Sequence, residues 1–232
     1  MAICLITGAA GALGESVARR LAREHRLVLV NRSMNDRMGA LAVELKATVA
    51  LFDVSDAGAW TAQLARLTAE LGEAPTRAAL VAGGWAGGKA LHEAPDDEIF
   101  QKMLRLNLET VHQSLRALLP AMVARGNGSI VVVGSRVADR PWTGARASAY
   151  TASKAAAVAL VEAVAAEVLN SGVRINSVLP STLDTAANRA AMPKADAKTW
   201  VSTESCAEVI AFLLSDAARD VSGAAVPVYG RA

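Results

Sequence analysis

Ala2-Ile3-Cys4-Leu5-Ile6-Thr7-Gly8-Ala9-Ala10-Gly11-Ala12-Leu13-Gly14 is the stretch that decides the fold. An apolar run of strand length ends in a turn of small residues and opens into a segment of helical period. A strand apolar on both faces belongs in a parallel sheet, where helix layers keep water from each side. The same rhythm continues outward. Strands are expected at 2–7, 27–31, 48–52, 77–82, 129–134, 174–179 and 224–228, and helices near 13–23, 36–46, 57–71, 97–125, 148–171 and 205–215. Right-handed crossovers turn this order into a Rossmann-like, doubly wound parallel α/β sheet of about seven strands with helices on both faces. Residues 1–232 are read as a single domain, since no linker, repeat or low-complexity tract divides them. Residues 184–203, with Pro193 and mixed polarity, read as an excursion of the kind that covers a site.

Composition narrows the function classes. With 53% hydrophobic residues and a mean hydropathy of +0.29, the chain has the material for a core and not the make-up of a disordered tail. Charges interrupt the apolar stretches before the ~18 residues a membrane span needs, so no membrane partner is expected. A net charge of +2 forms no basic stripe, which argues against nucleic acid and for a small-molecule partner. Cys4 and Cys206 stand alone, without the spacing of a disulfide framework or a metal site, so no metal is expected. Residues 1–13 lack the basic start of a signal peptide, and the cytoplasm is the expected location.

The turn itself, Gly8, Ala10, Gly11, Ala12, Leu13 and Gly14, has Gly-x-x-Gly-x-x-Gly spacing at a strand-to-helix junction. There backbone N–H groups and the helix dipole can meet a dinucleotide pyrophosphate, or the glycines can simply serve a tight turn. After the second strand, Asn31-Arg32-Ser33 stands where a carboxylate would bind free ribose hydroxyls. A neutral amide followed by a guanidinium suits a 2′-phosphate, so NADP(H) is favoured and NAD(H) remains possible. Asp53 and Val54 follow the third strand and can hold an adenine, although a helix N-cap near Ser55 would use such a segment equally well.

Tyr150 and Lys154 lie four residues apart on a long expected helix, so a phenol and an ammonium project from one face. With the glycine turn, Asn107, Ser135 after the fifth strand, and Pro180 and Thr185 after the sixth, this pattern resembles the short-chain dehydrogenase/reductase family over essentially the whole chain. The segments Val81-Ala82-Gly83-Gly84-Trp85-Ala86-Gly87-Gly88 and Leu179-Pro180-Ser181-Thr182-Leu183-Asp184-Thr185, continuing through Asn188-Arg189 and Met192-Pro193, resemble, more narrowly, dihydropteridine reductases. Leu80-Val81-Ala82-Gly83 also follows that branch where the wider family has Asn-Asn-Ala-Gly. Asn31 and Ser135 depart from it, because the branch usually has an acidic residue at the first position and commonly lacks a hydroxyl at the second.

The resemblance implies hydride transfer to a carbonyl or an imine-like ring, with Tyr150 as general acid/base and Lys154 holding the nicotinamide ribose. Ser135 would bond the developing oxyanion, or serve instead as a strand-end cap, and Asn107 would anchor a water relay, or instead satisfy backbone groups where a helix bends. Ala82, Gly83, Gly84, Pro180, Leu183 and Thr185 would line the cofactor. A free phenol has a pKa of roughly 10, and lowering it by about 3 units takes roughly 4 kcal/mol. One ammonium about 4 Å away supplies roughly that at an effective dielectric of about 20. Trp85, Trp142 and Trp200 can line a cleft for a flat ring, with core packing at least as good a use for the last two. The small residues of 155–168 suit a neighbouring helix, and the family implies a homodimer or homotetramer there, the alternative being packing on its own sheet alone. Competing classes are a dinucleotide sensor without turnover and, more remotely, a methyltransferase on a related sheet.

Overall fold

The computed structural model describes residues 1–231. β1 (Ile3–Thr7), β2 (Arg26–Asn31), β3 (Thr48–Leu51), β4 (Arg77–Leu80), β5 (Gly128–Val133), β6 (Val173–Pro180) and β9 (Ala225–Val228) form one sheet in the order β3-β2-β1-β4-β5-β6-β9. Every ladder in it is parallel. β7 (Leu183–Asp184) and β8 (Val201–Ser202) pair separately.

Alternation along each strand sends side chains to two cores. Leu5, Val30, Ile130, Val132 and Ile175 pack under α3 (Ala57–Leu71), α5 (Thr110–Arg125) and α7 (Ser148–Glu167), with Trp60, Leu118 and Val161 as helix contributors. Cys4, Ile6, Leu29 and Val131 face the other layer of α1 (Ala12–Leu21), α2 (Asp36–Leu45) and α9 (Thr203–Leu214), which supplies Val17, Leu41 and Ile210. α4 (Glu98–Leu104), α6 (Arg136–Asp139) and α8 (Ala186–Ala191) are short and lie toward the site.

Three expectations are corrected. The helix expected over 97–125 is interrupted by a π turn at Arg105–Glu109. The strand expected over 77–82 stops at Leu80, because the Ala82 amide leaves the ladder and donates to Thr7 Oγ1 at 3.1 Å. The excursion over 184–203 is tied at its two ends by the β7–β8 ladder. Ser148–Glu167 is, by length and a mean hydropathy of 1.2, apolar enough to cross a membrane, contrary to the reading that no stretch reaches that length. Its hydropathy comes largely from small alanines, and the helix lies along the sheet with Ala157, Val161 and Ala165 in the core.

Candidate active site

The strand order reverses between β1 and β4, and the crevice at the carboxyl ends of these strands is where α/β sheets of this kind take ligands. The glycine turn forms its floor. Gly8 is left-handed at φ +66, and a Cβ there would come within 2.9 Å of Ala82 backbone. A Cβ on Gly14 would stand 2.2 Å from the Gly8 carbonyl oxygen, so α1 can begin this close only with glycine. Gly11 caps α1 without any side-chain hydrogen bond, leaving the first-turn amides around Ala12 and Leu13 to be satisfied from outside. Ala10 and its neighbours put no bulk in the way. The turn therefore fits a pyrophosphate.

Beside it a cavity of about 180 Å³ is lined by Gly8, Val30, Asn31, Arg32, Phe52, Asp53, Val54, Ala82, Gly83, Leu106 and Thr110. It unites residues from four separate parts of the sequence that were expected to meet. Asn31 donates its side-chain amide to the Ser33 carbonyl at 2.7 Å, which fixes the turn after β2. Asp53 accepts from the Ser55 amide at 2.9 Å and hydroxyl at 2.7 Å, while Asp56, not Ser55, caps α3. Burial raises the Asp53 carboxyl, but the Ser55 hydrogen bonds and the charges of Arg32 and Arg105 outweigh it and hold it below the ordinary range. Arg32 and Arg105 lie 3.6 and 3.4 Å from that carboxylate. Two guanidinium groups against one carboxylate leave this rim positive. Arg105 was missed by sequence reasoning; its place two residues before Asn107 was the available signal.

At the other end of the crevice, α7 carries Tyr150 and Lys154, and Ser135 ends the crossing from β5. Lys154 is only 6% exposed and donates from Nζ to the Val133 carbonyl at 2.8 Å. Burial pulls its pKa down to about 8. Tyr150 is pushed above the usual phenol value by burial, with the Ser135 hydroxyl acting in the opposite direction. The expectation that Lys154 acidifies the phenol is therefore corrected for the protein's own groups. Its ammonium is turned toward a backbone carbonyl and is itself desolvated.

Asn107 is 1% exposed on the π turn, where the widened backbone aims its side chain inward. Its amide oxygen accepts from the Gly84 amide at 2.9 Å, and its Nδ2 donates to the Gly84 carbonyl and to Ser153 Oγ, both at 3.0 Å. The side chain thus braces the 83–84 backbone against α7. Gly83 is pressed so closely into this corner that a Cβ would lie 2.9 Å from Asn107 Oδ1 and 3.3 Å from Lys154 Nζ.

The remaining sequence candidates lie around this core. Pro180 closes β6, Leu183 pairs with Val201, and Thr185 caps α8 by accepting from the Asn188 amide at 3.1 Å. None of these three, nor Ser33, lines the cavity. Trp142 is 72% exposed, which corrects the core-packing alternative for it, whereas Trp200 is half-buried.

A family model described as short chain dehydrogenase matches residues 2–196. A galactitol 2-dehydrogenase (L-tagatose-forming) of Cereibacter sphaeroides is 33% identical over 99% of this chain and 94% of its own length. A 2,5-dichloro-2,5-cyclohexadiene-1,4-diol dehydrogenase of Sphingobium indicum is 30% identical over 79% of this chain and 73% of its own. Among solved structures, an oxidoreductase of the short chain dehydrogenase/reductase family from Burkholderia thailandensis superposes with a TM-score of 0.84 at 29% identity, covering 99% of this chain and 91% of that one.

Proposed function

The chain belongs to the short-chain dehydrogenase family, and from that premise we propose that it is an NADP(H)-preferring oxidoreductase that reduces a carbonyl or an imine-like ring. The observation that carries this reading is the convergence, on one sheet edge, of an uncapped glycine turn with Tyr150, Ser135 and buried Lys154. The pyrophosphate would rest on residues 8–14, the adenine beside Asp53 and Val54, and the 2′-phosphate against Arg32 and Ser33. Ala82, Gly83, Gly84, Pro180, Leu183 and Thr185 would enclose the nicotinamide half.

Reduced nicotinamide supplies a hydride when bound. Tyr150 would give its proton to the substrate oxygen or nitrogen, and its raised pKa keeps that proton in place at neutral pH. Ser135 would hydrogen-bond the same atom as negative charge develops on it. Lys154 would hold the ribose and attract the phenolate left behind. Asn107 spends its side chain on Gly84 and Ser153, so any relay it supports would run through its main chain. The two dehydrogenases named above, both of hydroxylated substrates, favour alcohol and carbonyl chemistry. Trp85, 66% exposed, favours a flat acceptor such as a quinonoid dihydropterin.

Two steps test the proposal. Binding titrations with NADPH and NADH should favour NADPH, and Arg32→Ala should remove that preference. NADPH oxidation should then be followed against a quinonoid dihydropterin and a ketone panel. Binding of neither dinucleotide would reject the cofactor assignment; binding without turnover of either acceptor class would favour a sensor.

A further inference from the structure

We propose that Arg146 is a positioning residue that fixes the acceptor wall of the site by gripping the loop that carries Trp85; this rests on the reading of Tyr150 as the acid. The segment 83–88 follows α7 in the opposite direction. At one end, a Cβ on Gly83 would lie 3.3 Å from Lys154 Nζ; at the other, a Cβ on Gly87 would meet the Ala147 methyl at 2.8 Å and the Arg146 carbonyl at 3.1 Å. Tyr150 falls between these two contacts in the sequence of α7, and Trp85 falls between them in the loop.

Arg146 holds the far end from both sides. The Gly88 amide donates to its carbonyl at 2.8 Å, and its Nε and Nη2 donate to the Gly88 carbonyl at 3.0 and 2.7 Å. Its guanidinium also lies 3.5 Å from Glu93, which accepts from the Ala90 amide at 2.8 Å. The grip uses a conformation that a non-glycine residue rarely adopts, since Arg146 has φ +65. A glycine would take that backbone without strain. The guanidinium is what a glycine lacks, and backbone strain in an arginine next to an expected catalytic helix is consistent with a functional constraint.

The same geometry locates the indole. Trp85 Cζ2 would come within 3.1 Å of a Cβ on Gly87, so the ring folds back over the glycine that touches Ala147, one turn before Tyr150. Releasing Gly88 frees the indole to swing away from that turn.

The test compares wild type with Arg146→Gly, which keeps the backbone conformation and loses the grip, and Arg146→Lys, which keeps charge without the fork. With a flat-ring acceptor, Arg146→Gly should raise KM about 3–10-fold while kcat falls less than about 2-fold, and Arg146→Lys should lie between. If Arg146 acts through Trp85, the KM of Trp85→Ala should not rise further on adding Arg146→Gly. Fluorine NMR of fluorotryptophan-labelled protein, with the Trp85 signal assigned from Trp85→Phe, reads the same point without turnover: Arg146→Gly should shift or broaden that signal and leave Trp60 unchanged. An unmoved Trp85 signal, a wild-type KM in Arg146→Gly, or additive KM effects would overturn the proposal. Absence of turnover in wild type itself would strike at the proposed reaction, and the NMR arm would still decide the role of Arg146.

Discussion

Lys154 holds a charge where the fold would be better off without one. Its pKa of about 8 in the folded chain lies below the ordinary lysine value of 10.5, so the folded state sheds this proton first as pH rises. The penalty of burying the ammonium is therefore full below pH 8 and is relieved between pH 8 and 10.5, where wild type gains stability. A shift of this size corresponds to roughly 3 kcal/mol, against about 1 kcal/mol for the lost hydrogen bond to the Val133 carbonyl. Lys154→Met should accordingly be more stable than wild type by about 2 kcal/mol at pH 7, with the gap closing above pH 8. Urea unfolding at pH 7 and pH 9.5 checks the sign. Tyr150→Phe should bind NADPH nearly as wild type does and lose turnover by about 10²–10⁴-fold, measured under single-turnover conditions. The two substitutions separate what the pair does for chemistry from what it costs the fold. That Tyr150 and Lys154 share a face was readable from their spacing. The direction of their pKa shifts was not, because desolvation depends on the β5 end and the Asn107 corner closing over them.

Among the elements, the glycine turn and the π turn do the most to place the site. Gly14→Ala would set a methyl 2.2 Å from the Gly8 carbonyl, a backbone atom that cannot step aside without moving β1 or α1. It should destabilise the chain by about 1–3 kcal/mol and abolish dinucleotide binding, while Gly39→Ala, with nothing within 4 Å of its Cβ, should do neither. Denaturant midpoints and cofactor titration of the two variants give the contrast. The strands were legible because each is a short apolar run bounded by turn residues. The π turn at Arg105–Glu109 was not, since a helix that gains one residue per turn keeps its apolar period nearly intact; only Asn107 buried at 1% betrays it. Arg146 was equally hidden, because a left-handed residue is read from glycine or asparagine and here it is an arginine.

At the scale of the whole molecule, α7 turns Ala157, Val161 and Ala165 to the sheet and leaves Ala152, Ala159, Ala163 and Ala166 exposed. In the homodimer or homotetramer that the family resemblance implies, a second copy would cover that face. Ala159→Glu should then halve the mass seen by light scattering without changing the circular dichroism, and a wild-type protein that is already monomeric would reject the assembly. The doubly wound parallel sheet followed from the crossover rule applied to the expected strands, while the order of its strands comes from the structure. The β7–β8 ladder did not, because two-residue strands carry no periodicity. Strand order reverses between β1 and β4, so the Asn31–Asp53 rim and the Trp85–Lys154 rim stand on opposite flanks of one seam, joined where Gly8 meets Ala82. On the proposed reading, dinucleotide preference would be set on the first flank and acceptor preference on the second, so a substitution on one flank would leave the other's contacts in place.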